Sequence, residues 1–268
     1  MFTIFVEYSL KMILEHKGIP IFYTDNGKGS AVVLLHGFLE NTTMWGAFLP
    51  QLTKKNRVIC IDLLGHGKTP SLGYIHTMEL MAESVEAVLK KLRLRRYYMI
   101  GHSMGGYVAL AFAKLHPGTL KGMCLMNSTY TEDDDDHKLL RTRAIKMVQT
   151  NFKNMVRMSF ANLFSETSRE KYKSEFSVAL KEALKTPVQG YIAGQEGMKL
   201  RTNSFETFKN LNCTKLIIIG EKDSVVNGNK LIKDTMNTTI RTVVFSEGHM
   251  SHIENKTECL NEIMHFIE

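Results

Sequence analysis

The stretch RYYMIGHSMGGYVALAFAKLH, residues 96–116, decides how the rest of the chain is read. An apolar run ends at Gly101, a helical pattern is under way by Tyr107, and Ser103 stands between them with Gly101 two residues before it and Gly105 two after. A buried strand running into an ordinary helix needs no such spacing. In that context G-x-S-x-G reads as a nucleophile elbow, a sharp strand-to-helix turn that lifts the serine Oγ clear of a sheet. Glycine on each side removes Cβ atoms that would collide as the chain doubles back. The first helical N–H groups then lie beside the hydroxyl, where they can stabilise an oxyanion. The same five residues also arise by chance as a glycine-rich turn with an incidental serine, so the distinction rests on the surrounding chain.

Working outward, strand-like runs occur at 13–16 and 19–24, separated by Lys17-Gly18 as in a hairpin. Further runs are AVVLLHG (31–37), RVICIDL (57–63), YYMIGHS (97–103), GMCLMNS (122–128), KLIIIGEKD (215–223) and RTVVFSEGH (241–249). Continuous aliphatic and β-branched runs without polar alternation are expected of strands covered on both faces. Helical patterns lie between them, at 78–92, at 107–116 ahead of Pro117-Gly118, and at 257–267. The alternation predicts an α/β fold, a mostly parallel sheet with helices on both faces and functional residues at the C-terminal ends of the strands. From Thr129 to Lys209 the strand rhythm stops, and a Met-, Phe- and Lys-rich segment too long for a structureless loop is expected to form a helical cap over those strand ends. The acidic run opening it, EDDDD (132–136), does not have EF-hand spacing and reads as the N-terminus of a helix.

A serine hydroxyl is a weak nucleophile until a base takes its proton, and the base needs an orienting acid. On a sheet of this kind the order is serine, acid, histidine, each just past a strand. Asp223 follows LIIIG, and His249 follows TVVFSEG, so both stand where the chemistry requires them. Glu221 is the alternative acid, disfavoured because Asp223 reaches further past the strand end; His252 is the alternative base, disfavoured because His249 sits directly at the strand exit. His102 is expected to pack, and His36 and His66 to brace loops. The second oxyanion donor is sought at the end of LLHGF, where the backbone N–H of Phe38 can join that of Met104.

Size and composition set bounds on this reading. The 268 residues suit one α/β domain with an insertion. With 44% hydrophobic and 23% charged residues the profile is that of a globular chain, without an apolar run long enough for a membrane span. The net charge of +7 comes from Lys and Arg scattered along the chain, and no nucleic-acid motif accompanies it. Cys60, Cys124, Cys213 and Cys259 form no CxxC pair, so neither a zinc nor a redox site is indicated. The opening MFTIFVEYSLKM lacks a basic leader and a cleavage site, which makes the cytoplasm the expected location and residues 1–11 a peripheral extension or start-site artefact.

Taken as a set and in order, HGF, DLLGHGKTP, GHSMGG, GEKD and GHMSHIEN resemble the α/β-hydrolase superfamily from Ile13 to the end of the chain. The resemblance implies a mainly parallel eight-stranded sheet with a lid between the sixth and seventh strands. The core would then be residues 1–128 and 210–268, with the cap at 129–209. It also implies a catalytic triad of Ser103, Asp223 and His249, with Phe38 and Met104 as backbone oxyanion donors. The chain departs from the pattern at ENKTE (254–258), where relatives often carry proline. The expected activity is cleavage of a small, apolar carboxylic ester with no metal or organic cofactor. Thioesters, carbon–carbon bonds and slow-turnover receptor binding remain open alternatives, whereas the serine at 103 argues against epoxide hydrolases and haloalkane dehalogenases, which resemble this family with aspartate there. Cap residues Met147, Phe152, Met155, Met158, Phe160 and Phe164 would supply the apolar substrate site.

Overall fold

In the computed structural model of the chain, which describes residues 10–268, Lys17 and Gly18 both take positive φ, 50° and 79°. The tight turn they form folds β1 (Leu10–His16) antiparallel onto β2 (Ile19–Asn26), with Leu10 opposite Asp25 and His16 opposite Ile19. Strand pairing therefore begins at Leu10, inside the stretch expected to be a peripheral extension; residues 1–9 of that stretch lie outside the described residues. The remaining strands are β3 (Ser30–Leu35), β4 (Asn56–Ile61), β5 (Tyr97–His102), β6 (Leu120–Met126), β7 (Thr214–Gly220) and β8 (Ile240–Phe245). Their order in the single sheet is β1-β2-β4-β3-β5-β6-β7-β8, antiparallel across β1, β2 and β4 and parallel from β4 to β8.

The helices in chain order are α1 (Leu49–Leu52), α2 (Met78–Lys91), α3 (Met104–Leu115), α4 (Asp135–Val148), α5 (Phe152–Ala161), α6 (Glu166–Lys171), α7 (Lys173–Ala183), α8 (Val188–Lys199), α9 (Phe205–Lys209), α10 (Gly228–Thr235), α11 (Ser251–Glu254) and α12 (Lys256–Phe266). Successive side chains of a strand leave opposite faces, and the core divides accordingly. Val33 and Leu35 join Ile59, Met99 and Leu125 against Met81 and Val85 of α2 and Val108 and Phe112 of α3. Val32 and Leu34 join Cys60, Ile100 and Cys124 against Trp45, Phe48 and Cys259 and Ile263 of α12. Burial pushes up the pKa of the Cys60 thiol to about 12, as suits a cysteine serving as a small hydrophobe.

Helix α3 begins at Met104, three residues before the sequence pattern suggests. Gly105 and Gly106 weaken the helical signal, yet both are demanded by contact: a Cβ at Gly105 would fall on the Leu35 carbonyl oxygen.

Between β6 and β7 the chain forms α4 to α9. This insertion lies against the loops after β3 and β4. The Tyr191 ring meets Phe38 at 5.0 Å, His76 donates its N–H to the Ala193 carbonyl at 2.9 Å, and Gly190 approaches Gly65 so closely that a Cβ would strike its carbonyl oxygen. Its own apolar core takes in Val156, Phe160, Phe164 and Tyr191 together with Leu39 and Met250 from the loops beneath. The acidic run divides in role. Asp134 is the N-cap of α4, accepting from the His137 N–H at 2.8 Å, and Asp135 and Asp136 occupy its first turn. Asp133 instead is buried between Arg141, at 2.5 Å, and Arg201, at 2.7 Å.

Removing one partner of a buried ion pair leaves an uncompensated charge. Asp133→Ala is expected to destabilise the chain by about 3 kcal/mol, measured by urea unfolding; a loss below about 0.5 kcal/mol, the scale of an exposed pair, would show that the two guanidiniums do not depend on it.

Candidate active site

Ser103 occupies the turn between β5 and α3 with φ 49° and ψ −117°, a conformation that residues bearing a Cβ rarely take. The surroundings leave little choice. The Ser103 N–H donates to the Met126 carbonyl at 3.0 Å, and its own carbonyl accepts from the Gly106 N–H at 2.9 Å and the Ser128 hydroxyl at 2.7 Å. A Cβ at Gly101 would land on the backbone of Gly105, so the two glycines have the steric part expected of them.

Ser103, His249 and Asp223 meet above the strand ends. Ser103 Oγ lies 2.9 Å from His249 Nε2, and His249 Nδ1 lies 2.8 Å and 3.0 Å from the two carboxylate oxygens of Asp223. Asp223 Oδ1 also accepts the backbone N–H groups of Val225 and Val226, at 2.8 and 3.0 Å. Burial works against its charged form, but the adjacent His249 and those hydrogen bonds prevail and hold its carboxyl below the usual range. An ionised Asp223 fixes the proton on Nδ1, which leaves Nε2 free to accept from the serine.

Gly37 brings the loop after β3 beside the elbow: a Cβ there would stand 3.2 Å from Ser103 Cβ. The next backbone N–H is that of Phe38. Among the described residues no protein acceptor takes the N–H of Phe38 or that of Met104.

The other histidines have structural partners. His36 accepts the Leu63 N–H at Nε2 and meets its neighbour's carbonyl at Nδ1, bracing two loops, and His66 meets the Leu64 carbonyl. His252 lies 3.5 Å from Glu40 rather than against Ser103, and Glu221 is exposed on the surface. His102 is more than packing, because it bonds to both Glu40 and the His249 carbonyl. Two residues escaped the sequence reading. Asn127, at φ 46°, donates from its amide to the Gly248 carbonyl at 3.0 Å and to Asp223 at 3.3 Å; Glu40 lies buried under the loop that carries Phe38. Glu40, His102 and His252 set one carboxylate oxygen and two ring nitrogens within 4.8 Å of one another, but both ring nitrogens of His102 are already engaged, by Glu40 and the His249 carbonyl, so the cluster is not read as a metal site.

The apolar residues of the insertion are divided. Met155, Phe160 and Phe164 are buried in its core, whereas Met147 and Met158 are 51% and 49% exposed and face solvent. A cavity of about 650 Å³ borders Asp223, Thr129, Tyr107 and Arg201. A second, of about 230 Å³, is lined by Leu39, Phe160, Val178 and Ile253 with Glu40 and His252.

The model of the alpha/beta hydrolase fold family matches residues 30–256. The chain belongs to that family. A probable lysophospholipase, BODYGUARD 1 of Arabidopsis thaliana, is 37% identical over 114 residues, 40% of this chain and 24% of the relative. The pimeloyl-[acyl-carrier protein] methyl ester esterase of Methylococcus capsulatus is 34% identical over 109 residues, 41% of each chain. The matches thus span less than half of the length of these curated relatives. Over nearly the whole chain, a thermophilic esterase from Thermogutta terrifontis superposes with a TM-score of 0.88 at 26% identity, covering 95% of this chain and 97% of that one. An enol-lactonase from Burkholderia xenovorans gives the same TM-score at 19% identity, covering 95% and 99%, a likeness of fold. No helix among the described residues is long and apolar enough to cross a membrane.

The buried histidines around this hydrolase site predict a pH dependence of stability. Burial lowers the pKa of His66 to about 3 and of His76 and His252 to about 4, from an ordinary 6.5. The unfolded chain therefore takes up protons below pH 6.5 that the folded chain refuses, and stability is lost as pH falls from 6.5 towards 4. His102, raised by Glu40 against the effect of burial, acts oppositely, its contribution full below 6.5 and lost as pH rises through its folded value. Burial lowers the pKa of His36 as well, so four groups oppose one. Calorimetry at a series of pH values is expected to show Tm falling between pH 6.5 and 4; a flat or rising Tm would contradict the burial of these histidines in neutral form.

Proposed function

We propose that the chain is a serine hydrolase that cleaves a small carboxylic ester through an acyl-enzyme. The observation that carries the reading is the unbroken line of contacts from Asp223 through His249 to Ser103 Oγ, each link at 3.0 Å or less. His249 Nε2 takes the Ser103 proton as Oγ bonds to the carbonyl carbon. The resulting oxyanion accepts from the N–H groups of Phe38 and Met104. His249 then protonates the leaving alcohol, and the carbon–oxygen bond to that alcohol breaks. Water, deprotonated by the same imidazole, releases the acid and restores Ser103. Asp223 holds the ring and stabilises its charged form throughout.

The similarity to an esterase over almost the whole chain, and to a methyl ester esterase over part of it, supports an ester as the substrate. Residues 129–209 act as a lid over a core of residues 1–128 and 210–268, and substrate choice falls to that lid and the loops beneath it. The cavity lined by Leu39, Phe160, Val178 and Ile253 supports a small apolar substrate. The protein is read as cytoplasmic, acting on a free small molecule.

A fluorophosphonate that traps activated serine, used alongside a panel of p-nitrophenyl esters, acyl thioesters and a dienoate diketone, tests both the mechanism and the bond cleaved. Wild type is expected to label and to turn over short esters best. Ser103→Ala is expected to lose labelling and to lose turnover by about 10⁴-fold or more while melting as wild type does. Full turnover in Ser103→Ala would refute the mechanism.

A further inference from the structure

Ester cleavage by a serine, a histidine and an aspartate calls for no second carboxylate, yet Glu40 is buried within the same site at 6% exposure. Its Oε2 accepts the Gly37 N–H at 2.7 Å and meets His102 Nδ1, also at 2.7 Å. The other ring nitrogen of His102, Nε2, lies 3.0 Å from the main-chain carbonyl of His249. A carboxylate and a carbonyl only accept, so both nitrogens of His102 must donate and the ring is an imidazolium. The two groups thus form a buried ion pair whose other hydrogen bonds go to the backbone, while Glu40 Oε1 makes none and lies 3.5 Å from His252 Nε2. Burial disfavours the charge on Glu40, but the charge of His102 and their hydrogen bond prevail and hold its pKa at about 2.

The backbone atoms so held belong to three of the loops from which the site is assembled. Gly37 precedes the Phe38 N–H. His102 is the last residue of β5 and is followed by Ser103. The His249 carbonyl belongs to the residue that carries the base. These loops are far apart along the chain, and Glu40 with His102 joins all three in one hydrogen-bonded unit. The ring of His102 also lies 5.2 Å from that of His249, so it supports the base sideways as well as through its main chain.

We propose that Glu40 and His102 are positioning residues for ester cleavage, a buried pair that sets the oxyanion N–H of Phe38 and the imidazole of His249 at fixed distances from Ser103. The proposal rests on the serine-hydrolase reading of the site. Their effect is on geometry, where displacement by about 1 Å costs on the order of 10²-fold in rate.

The experiment compares Glu40→Ala, Glu40→Gln, His102→Ala, His102→Asn and the double alanine variant. For each, kcat and KM on a p-nitrophenyl ester, the rate of fluorophosphonate labelling and Tm are measured. Glu40→Ala is expected to lower kcat and the labelling rate on the order of 10²-fold, with KM within about twofold. In Glu40→Gln the amide oxygen, standing where Oε2 stands, can accept from both the Gly37 N–H and His102 Nδ1 although the charge is lost, so kcat is expected to recover to within about tenfold of wild type. The double variant is expected to lose no more than the worse single variant, because each removes the same unit. Should Glu40→Ala not fold, His102→Asn, too short to bridge the two loops, is expected to show the same fall in kcat. A folded Glu40→Ala or His102→Asn with wild-type kcat and labelling, and only a lowered Tm, would overturn the proposal. So would losses that multiply in the double variant. If wild type itself neither labels nor cleaves any ester, the serine-hydrolase reading has failed and the proposal falls with it.

Discussion

The hydroxyl of Ser103 is available because its backbone is held at φ 49° and ψ −117°, a conformation costing about 1–3 kcal/mol for a residue with a Cβ. The chain offsets that cost locally. Gly101 and Gly105 clear the space, and the Met126 carbonyl, the Gly106 N–H and the Ser128 hydroxyl fix the peptide groups on either side. Parallel strands supply the rest of the constraint. Since β3, β5, β6, β7 and β8 run in one direction, their C-terminal loops all rise on one edge of the sheet, and residues from five separate stretches converge on Ser103.

What converges is strongly charged for a buried place, and each charge has its counterpart. Asp223 faces His249 and two backbone N–H groups; Glu40 faces His102 and a third. The two carboxylate–imidazole pairs lie side by side, linked by the bond from His102 to the His249 carbonyl. One has its Nε2 within 2.9 Å of the Ser103 hydroxyl, and the other has both nitrogens engaged, by Glu40 and by the His249 carbonyl. Buried networks of this kind rigidify what they connect; here Glu40 Oε1 makes no hydrogen bond and lies 3.5 Å from His252 Nε2.

Much of this was legible in the sequence, because the informative features are local. Apolar runs without alternation mark strands covered on both faces, and β3 through β8 lie where those runs stand. G-x-S-x-G marks the elbow, and strand-end positions pick out Asp223 and His249, which the fold brings together. Glu40 and Asn127 were not legible. Each is a single polar residue in an irregular segment, and its significance comes from partners far along the chain, Glu40 from His102 and Asn127 from Gly248. The start of α3 was misplaced because Gly105 and Gly106 answer to a packing demand that outweighs helix propensity. In the insertion, helical spacing shows which residues share a face but not what lies opposite. It could not separate the buried Met155 from the solvent-facing Met147 and Met158, nor the paired Asp133 from the exposed acids after it.

The central claim is that an acyl group passes through Ser103 itself. Mixing the enzyme with a slowly hydrolysed ester, quenching in acid within the first turnover and mapping the peptides by mass spectrometry would test this directly. The account predicts one acyl group per chain, carried on Ser103 and lost with the kinetics of turnover. An ester that is cleaved while no acyl mass accumulates on any peptide, under conditions where deacylation limits the rate, or an acyl group found on a residue other than Ser103, would contradict it.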